Sequence, residues 1–194
     1  MTVPRPRPPW WVAAGLALAA CGTLTPGAGP TTPGAPQAAV TVPAPPVPTG
    51  CHARGTPPRV LPDPTCTPGA LNPAVTQATI RTTICVRGWT ATIRPPLSWT
   101  EPIKRRLMRS YGYPAGTSLR TVELDHLTPL ELGGAPAVVA DLWPEPGASP
   151  NLKDTVESTA RARVCSGRMT LVDAQTRIAT DWAALGHALG VKGL

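Results

Sequence analysis

The sequence predicts an α+β domain carried on a proline-rich tether, and three observations predict it. Most of the 27 prolines fall before residue 74, which leaves the remainder of the 194 residues to fold. Short apolar or β-branched runs between residues 75 and 143, punctuated by Gly and Pro, have the length and composition of strands. The last segment repeats Leu171, Ala174, Ile178, Trp182, Leu185 and Leu189 at helical spacing.

Taken from the start, Arg5 and Arg7 precede the apolar run Trp10–Ala20, and Cys21 follows. Residues 1–20 are therefore read as a signal peptide. The run is shorter than the ~20 residues a spanning helix needs, so no transmembrane helix is expected in the mature chain. Leu18-Ala19-Ala20-Cys21-Gly22 resembles the lipobox of bacterial lipoproteins, in which the cysteine is acylated. The expectation is an exported protein at the cell surface, lipid-anchored to the membrane at Cys21. The alternative is ordinary signal cleavage and secretion.

Residues 21–64 are mostly Pro, Ala, Thr and Gly. Such a segment buries too little to repay its ordering entropy, so it is expected to be a disordered linker, with residues 65–194 as the folded domain. Apart from Cys21 there are four cysteines, Cys51, Cys66, Cys85 and Cys165. An even number in an exported chain predicts two disulfides, with three connectivities open. Zinc is disfavoured because no Cys-x-x-Cys pair is present. A Cys51–Cys66 bridge would close a small proline-rich loop, and His52 beside it has no companion ligand.

Val75–Cys85 suits a strand or, with Asn72 as cap, a short helix. Gly88–Arg94 alternates and stops at Pro95-Pro96, which predicts an edge strand. Thr100–Ser110 is a helix candidate with Thr100 as its cap. Its basic residues Lys104, Arg105 and Arg109 form either a solvated face or a phosphate-contacting one, in a chain of net charge +7.

Thr121–Thr128 reads as a strand, with Glu123 and Asp125 on one face and His126 on the other. Gly133-Gly134 turns the chain, and Val138–Trp143 returns antiparallel until Pro144. Asn151 caps the next helix, with Asp154 in its first turn and Val156, Ala160 and Val164 as the apolar stripe. Thr170 caps the last. The chemistry concentrates at Asp125-His126, where a carboxylate able to hold a hard cation stands beside an imidazole able to take a proton from water.

Asp125-His126, Gly133-Gly134, Asp141-Leu142-Trp143-Pro144 and the helix after them resemble the ββα-metal finger of HNH endonucleases. With Thr67–Pro73, Val164-Cys165-Ser166-Gly167 and Ala174-Gln175, the likeness extends to the exported HNH-like proteins of bacteria, over about residues 65 to 185. The resemblance implies a ββα finger with additional packing helices. It makes His126 the general base and Asp125 a metal ligand, and sets Asp141 where that family has the Asn that orients the histidine. Asn151, Asp154 or Glu157 would be the further ligand to one divalent cation, Mg²⁺ or Mn²⁺. Lys104, Arg105, Arg109 and Lys153 are the basic residues expected to contact substrate. A Cys85–Cys165 bridge would replace the zinc-binding cysteine pairs of many such proteins. The function implied is metal-dependent phosphodiester hydrolysis of nucleic acid, DNA before RNA, by a cell-surface nuclease. The alternative is a non-catalytic surface lipoprotein whose finger binds metal, nucleic acid or cell wall.

Overall fold

A computed structural model describes residues 45–194. The segment read as a signal peptide, Cys21 and the first half of the expected linker lie outside the described residues. Among the described residues the fold is α+β, with two small antiparallel sheets and four helices.

The first sheet corrects the expected boundary of the folded domain. β1 (Arg54–Thr56) and β2 (Arg59–Leu61) form a hairpin inside the segment read as linker. Cys51, bonded to Cys66, is buried, and the Trp182 indole N–H donates to the Val60 carbonyl at 2.9 Å. The disulfide and this distant tryptophan supply burial that the segment's own composition does not promise.

Residues 75–88 form turns, with a single 3-10 turn at Ile80–Thr82 in place of the expected strand or helix. The threonine hydroxyls divert the backbone: Thr79 donates to the Ala74 carbonyl, and Thr83 to that of Thr79. The predicted edge strand is instead a short helix, α1 (Trp89–Ile93), entered through Gly88 at φ 82°. Helix α2 (Leu97–Ser110) starts before Thr100, with Pro96 at the cap position, so Pro102 lies further inside the helix than expected. It buries Ile103, Leu107 and Met108.

The second sheet pairs β3 (Val122–His126) with β4 (Leu142–Pro146), Asp125 facing Trp143 and His126 facing Leu142. The returning strand thus begins later than predicted, after a 3-10 turn at Val139–Asp141, and it contains Pro144 instead of ending before it. The register explains the tolerance. The Pro144 carbonyl accepts from the Tyr113 hydroxyl at 3.0 Å, so residue 144 turns its backbone polar groups away from β3. Pro144 and Pro146 therefore occupy non-hydrogen-bonded positions, where a missing N–H costs nothing.

Helix α3 (Leu152–Cys165) opens with a capping box between Asn151 and Asp154, and α4 (Leu171–Leu189) is capped by Thr170, as the sequence predicts. Val156, Ala160 and Val164 of α3 pack on Ala174, Ile178 and Trp182 of α4, forming the main core with Ile84 and Leu132. A smaller core joins Ile103 and Leu107 to Leu142. Cys85–Cys165 ties α3 to the turn region, and Cys51–Cys66 is the second bridge. Two disulfides indicate an oxidising environment. Among the described residues no helix is long and apolar enough to cross a membrane.

Candidate active site

Alternation along β3 and β4 gives the hairpin two chemically different faces. Glu123, Asp125, Trp143 and Glu145 lie on the face toward α3, whereas Val122, Leu124 and Leu142 share the face toward α2 with His126. Since β3 ends at His126, the imidazole reaches the boundary between them, and it lines cavities on both sides.

His126 is buried, and its Nε2 lies 3.2 Å from the Pro136 carbonyl oxygen. A carbonyl only accepts, so the neutral ring carries its proton on Nε2 and keeps the Nδ1 lone pair for another proton. Burial lowers its pKa against the pull of Asp125, which favours the neutral ring.

The toward-α3 face is organised by Lys153, whose side chain is almost wholly buried. Its ammonium donates to Asp125 Oδ2 at 2.7 Å, to Glu157 Oε1 at 2.5 Å and to the His126 carbonyl at 3.0 Å. Asp125 Oδ2 also accepts from the Trp143 indole N–H at 2.9 Å. Burial alone would discharge such a lysine, but Asp125, Glu157 and Glu145 more than offset it and raise its pKa. The surrounding carboxyls are raised as well, which for an acid favours the neutral form. Burial, reinforced by Asp125, pushes Glu123 up to about 7. Glu145 is raised by burial and by Asp125, and Glu157 by burial against the pull of Lys153. Four carboxyl groups thus surround one ammonium.

Asp141, fully buried, does not touch the histidine it was expected to orient. Its Oδ1 accepts from the N–H groups of Thr128 at 3.0 Å and Ala70 at 3.3 Å, while Oδ2 is buried without a partner. Burial raises its pKa to about 8. The backbone of Asp141 also holds Leu127, through a 2.7 Å bond to its N–H. Its role is to fasten the chain just beyond His126. Gly134 makes that possible, because a Cβ there would lie 1.7 Å from the Thr128 carbonyl and 2.7 Å from Asp141 Oδ2. Gly133-Gly134 is therefore a site of close approach as well as a turn.

Two further expectations are corrected. Lys153 is sealed inside the carboxylate cluster, where no substrate reaches it. Asn151 spends its Oδ1 on the N–H groups of Lys153 and Asp154 and its amide on Glu123 at 3.1 Å, so it is a cap and a bridge with no oxygen left for a metal. Of the basic residues on α2, only Lys104 lines a cavity with His126, and its ammonium donates to the Leu119 carbonyl at 2.7 Å. Arg105 and Arg109 line a different depression beside Tyr113. Residues not anticipated are Glu131 and Glu145 on the acidic side, Trp99 and Arg120 on the other, and Glu123 and Arg94, which line both cavities. Glu123 was legible as the residue two before Asp125 on one strand face, and Lys153–Glu157 as an i,i+4 pair.

An acidic cleft of about 240 Å³ contains Asp125, Glu131, Asp154 and Glu157 around His126. Asp125, Asp154 and Glu157 each commit one oxygen to protein donors. Among the described residues no three His, Cys, Asp or Glu side chains converge on one point as a metal cage. Such a donor set fits a hydrated hard cation of the Mg²⁺ type, which takes one or two carboxylates and completes its shell with water and substrate phosphate. Comparison with protein-family models, curated proteins and solved structures finds no match to this chain.

Proposed function

We propose that this domain hydrolyses phosphodiester bonds in nucleic acid through an HNH-like finger formed by β3, β4 and α3. The observation that carries the reading is His126, a buried imidazole whose Nε2 proton is held by the Pro136 carbonyl, standing between an acidic cleft and a basic groove. In this reading His126 accepts a proton from the attacking water at Nδ1. Arg94 and Lys104 hold the substrate's anionic backbone on the groove side. Asp125 and one of Asp154 and Glu157 would hold a divalent cation, Mg²⁺ or Mn²⁺, which supplies charge neutralisation at the phosphate when bound. Lys153 positions Asp125 and Glu157, and its contact with the His126 carbonyl fixes the end of the strand. The exported, surface-anchored location is the setting proposed with it, on the strength of the N-terminal motif and the disulfides.

The full chain, purified in oxidised form, should nick supercoiled plasmid in the presence of Mg²⁺ or Mn²⁺. His126→Ala should lower the rate by roughly 10²- to 10⁴-fold, the contribution typical of a general base. Equal nicking by both proteins would defeat the assignment.

A second reading is favoured by one contact. The cation that Asp125 and Glu157 both hold is the Lys153 ammonium, as expected of a finger that binds nucleic acid without cutting it. Binding without nicking under any divalent ion would decide for that reading.

A further inference from the structure

The face of the hairpin toward α2 opens into a groove of about 470 Å³, a volume typical of ligand sites, and its lining differs from that of the acidic cleft. Leu97, Trp99, Leu124 and Leu142 supply apolar surface, while Arg94, Lys104 and Arg120 supply positive charge. Trp99 packs on the small core and still lines the groove, so its ring is held in place. Leu97 is 75% exposed. Among the described residues neither Arg94 nor Arg120 forms a salt bridge. Of the two acids in the lining, Glu101 pairs with Arg105 and Glu123 accepts from the Asn151 amide. With three basic side chains against two acids, one of them paired with Arg105, the charge balance of the groove is positive.

We propose that this groove binds single-stranded DNA, one base stacking on Trp99 and the adjoining phosphates lying on Arg94 and Arg120. The proposal rests on the nuclease reading and names the form of its substrate. A fixed aromatic face offers most to an unpaired base, because a duplex keeps its base faces stacked on one another. The leucine walls offer no partner to a ribose 2′-hydroxyl, and the hydroxyls of the lining are already engaged, Thr100 with the Pro96 carbonyl and Ser149 with Asp154, so DNA is preferred over RNA.

The test is fluorescence anisotropy of a labelled ten-nucleotide oligothymidylate with the full-length His126→Ala protein, which binds without cutting. Oligothymidylate should bind at least tenfold more tightly than a duplex of mixed sequence and more tightly than oligouridylate. Trp99→Leu, which keeps apolar volume but loses the ring, should weaken binding by roughly 5- to 150-fold, the range of one base stack. Trp99→Phe should stay within about threefold of its parent, since it retains a ring to stack on. Arg94→Ala and Arg120→Ala should each reduce the salt dependence by about 0.7 in log–log slope. Equal affinities of the Leu and Phe variants, tighter binding of duplex, or tighter binding of oligouridylate would each overturn the proposal. Plasmid nicking separates the two readings: loss of nicking with ring-dependent binding intact removes hydrolysis and keeps the groove, and the converse removes the groove alone.

Discussion

The two faces of the β3–β4 hairpin share a backbone and a histidine, yet they handle charge in opposite ways. Toward α3, charged groups are buried and bonded to one another, so that Lys153, Asp125, Glu157 and Trp143 form a closed set. Toward α2, Arg94 and Arg120 stand open at the edge of an apolar groove. Polar groups taken from water must find partners in the protein, so the first face is committed to stability; the second keeps its interactions for something that arrives. His126 sits where the committed face meets the open one.

Removing the central cation should break this contrast most severely. Lys153→Met leaves Asp125 and Glu157 buried without compensation, which should cost about 3–5 kcal/mol and lower Tm by roughly 10 °C in thermal unfolding followed by circular dichroism. The deficit should be smaller at pH 5 than at pH 8, because protonation then neutralises the stranded carboxyls. A loss independent of pH would mean that lost packing, and not charge, is responsible.

Asp141 gives the next largest effect. Its folded pKa of about 8 lies above the ordinary carboxyl value, so the folded state holds a proton that the unfolded state releases. Its contribution is therefore complete at pH below about 4 and is lost progressively as pH rises to 8, with an upper bound of about 6 kcal/mol. Asp141→Asn should remove that slope and be the more stable protein at pH 8.5, as read from denaturant midpoints. A wild-type stability that climbs between pH 5 and 8 while the variant stays flat would refute this assignment.

The smallest effect sharpens the comparison from the other side. Arg94→Ala and Arg120→Ala should each change unfolding free energy by no more than about 0.5 kcal/mol, since neither side chain is paired or buried. A cost above 1 kcal/mol would show that the groove is part of the structural framework after all.

Much of this was legible in the sequence where a local rule governs. Asn151 and Asp154 form the capping box that their spacing announces, the apolar stripe of α4 packs as its period requires, and Glu123 and Asp125 share a strand face. The failures occur where distant residues decide. Gly88–Arg94 alternates over too few residues to separate a strand from a single helical turn. The place of β4 depends on which side of the strand Pro144 presents to Tyr113, and no pattern within β4 encodes that. Lys153 looked like a surface base because two of its three partners, Asp125 and the His126 carbonyl, lie nearly 30 residues away on β3. The proline-rich stretch around Val60 is ordered by Trp182, at the far end of the chain.

The bridge between Cys85 and Cys165 spans 80 residues of sequence, and within that span lie α2, β3, β4, α3 and every residue of the candidate site. The site is thus enclosed in a covalent ring. Its most exposed arc is residues 146–150, from the end of β4 to the start of α3, the kind of surface loop at which proteases cut. A single cut there opens the ring but separates nothing, because the strand bearing His126 and the helix bearing Lys153 remain joined through sulfur. Outside a cell, where peptide bonds are under attack, the disulfide lets the chain lose a bond of its backbone and still keep the two halves of its site together.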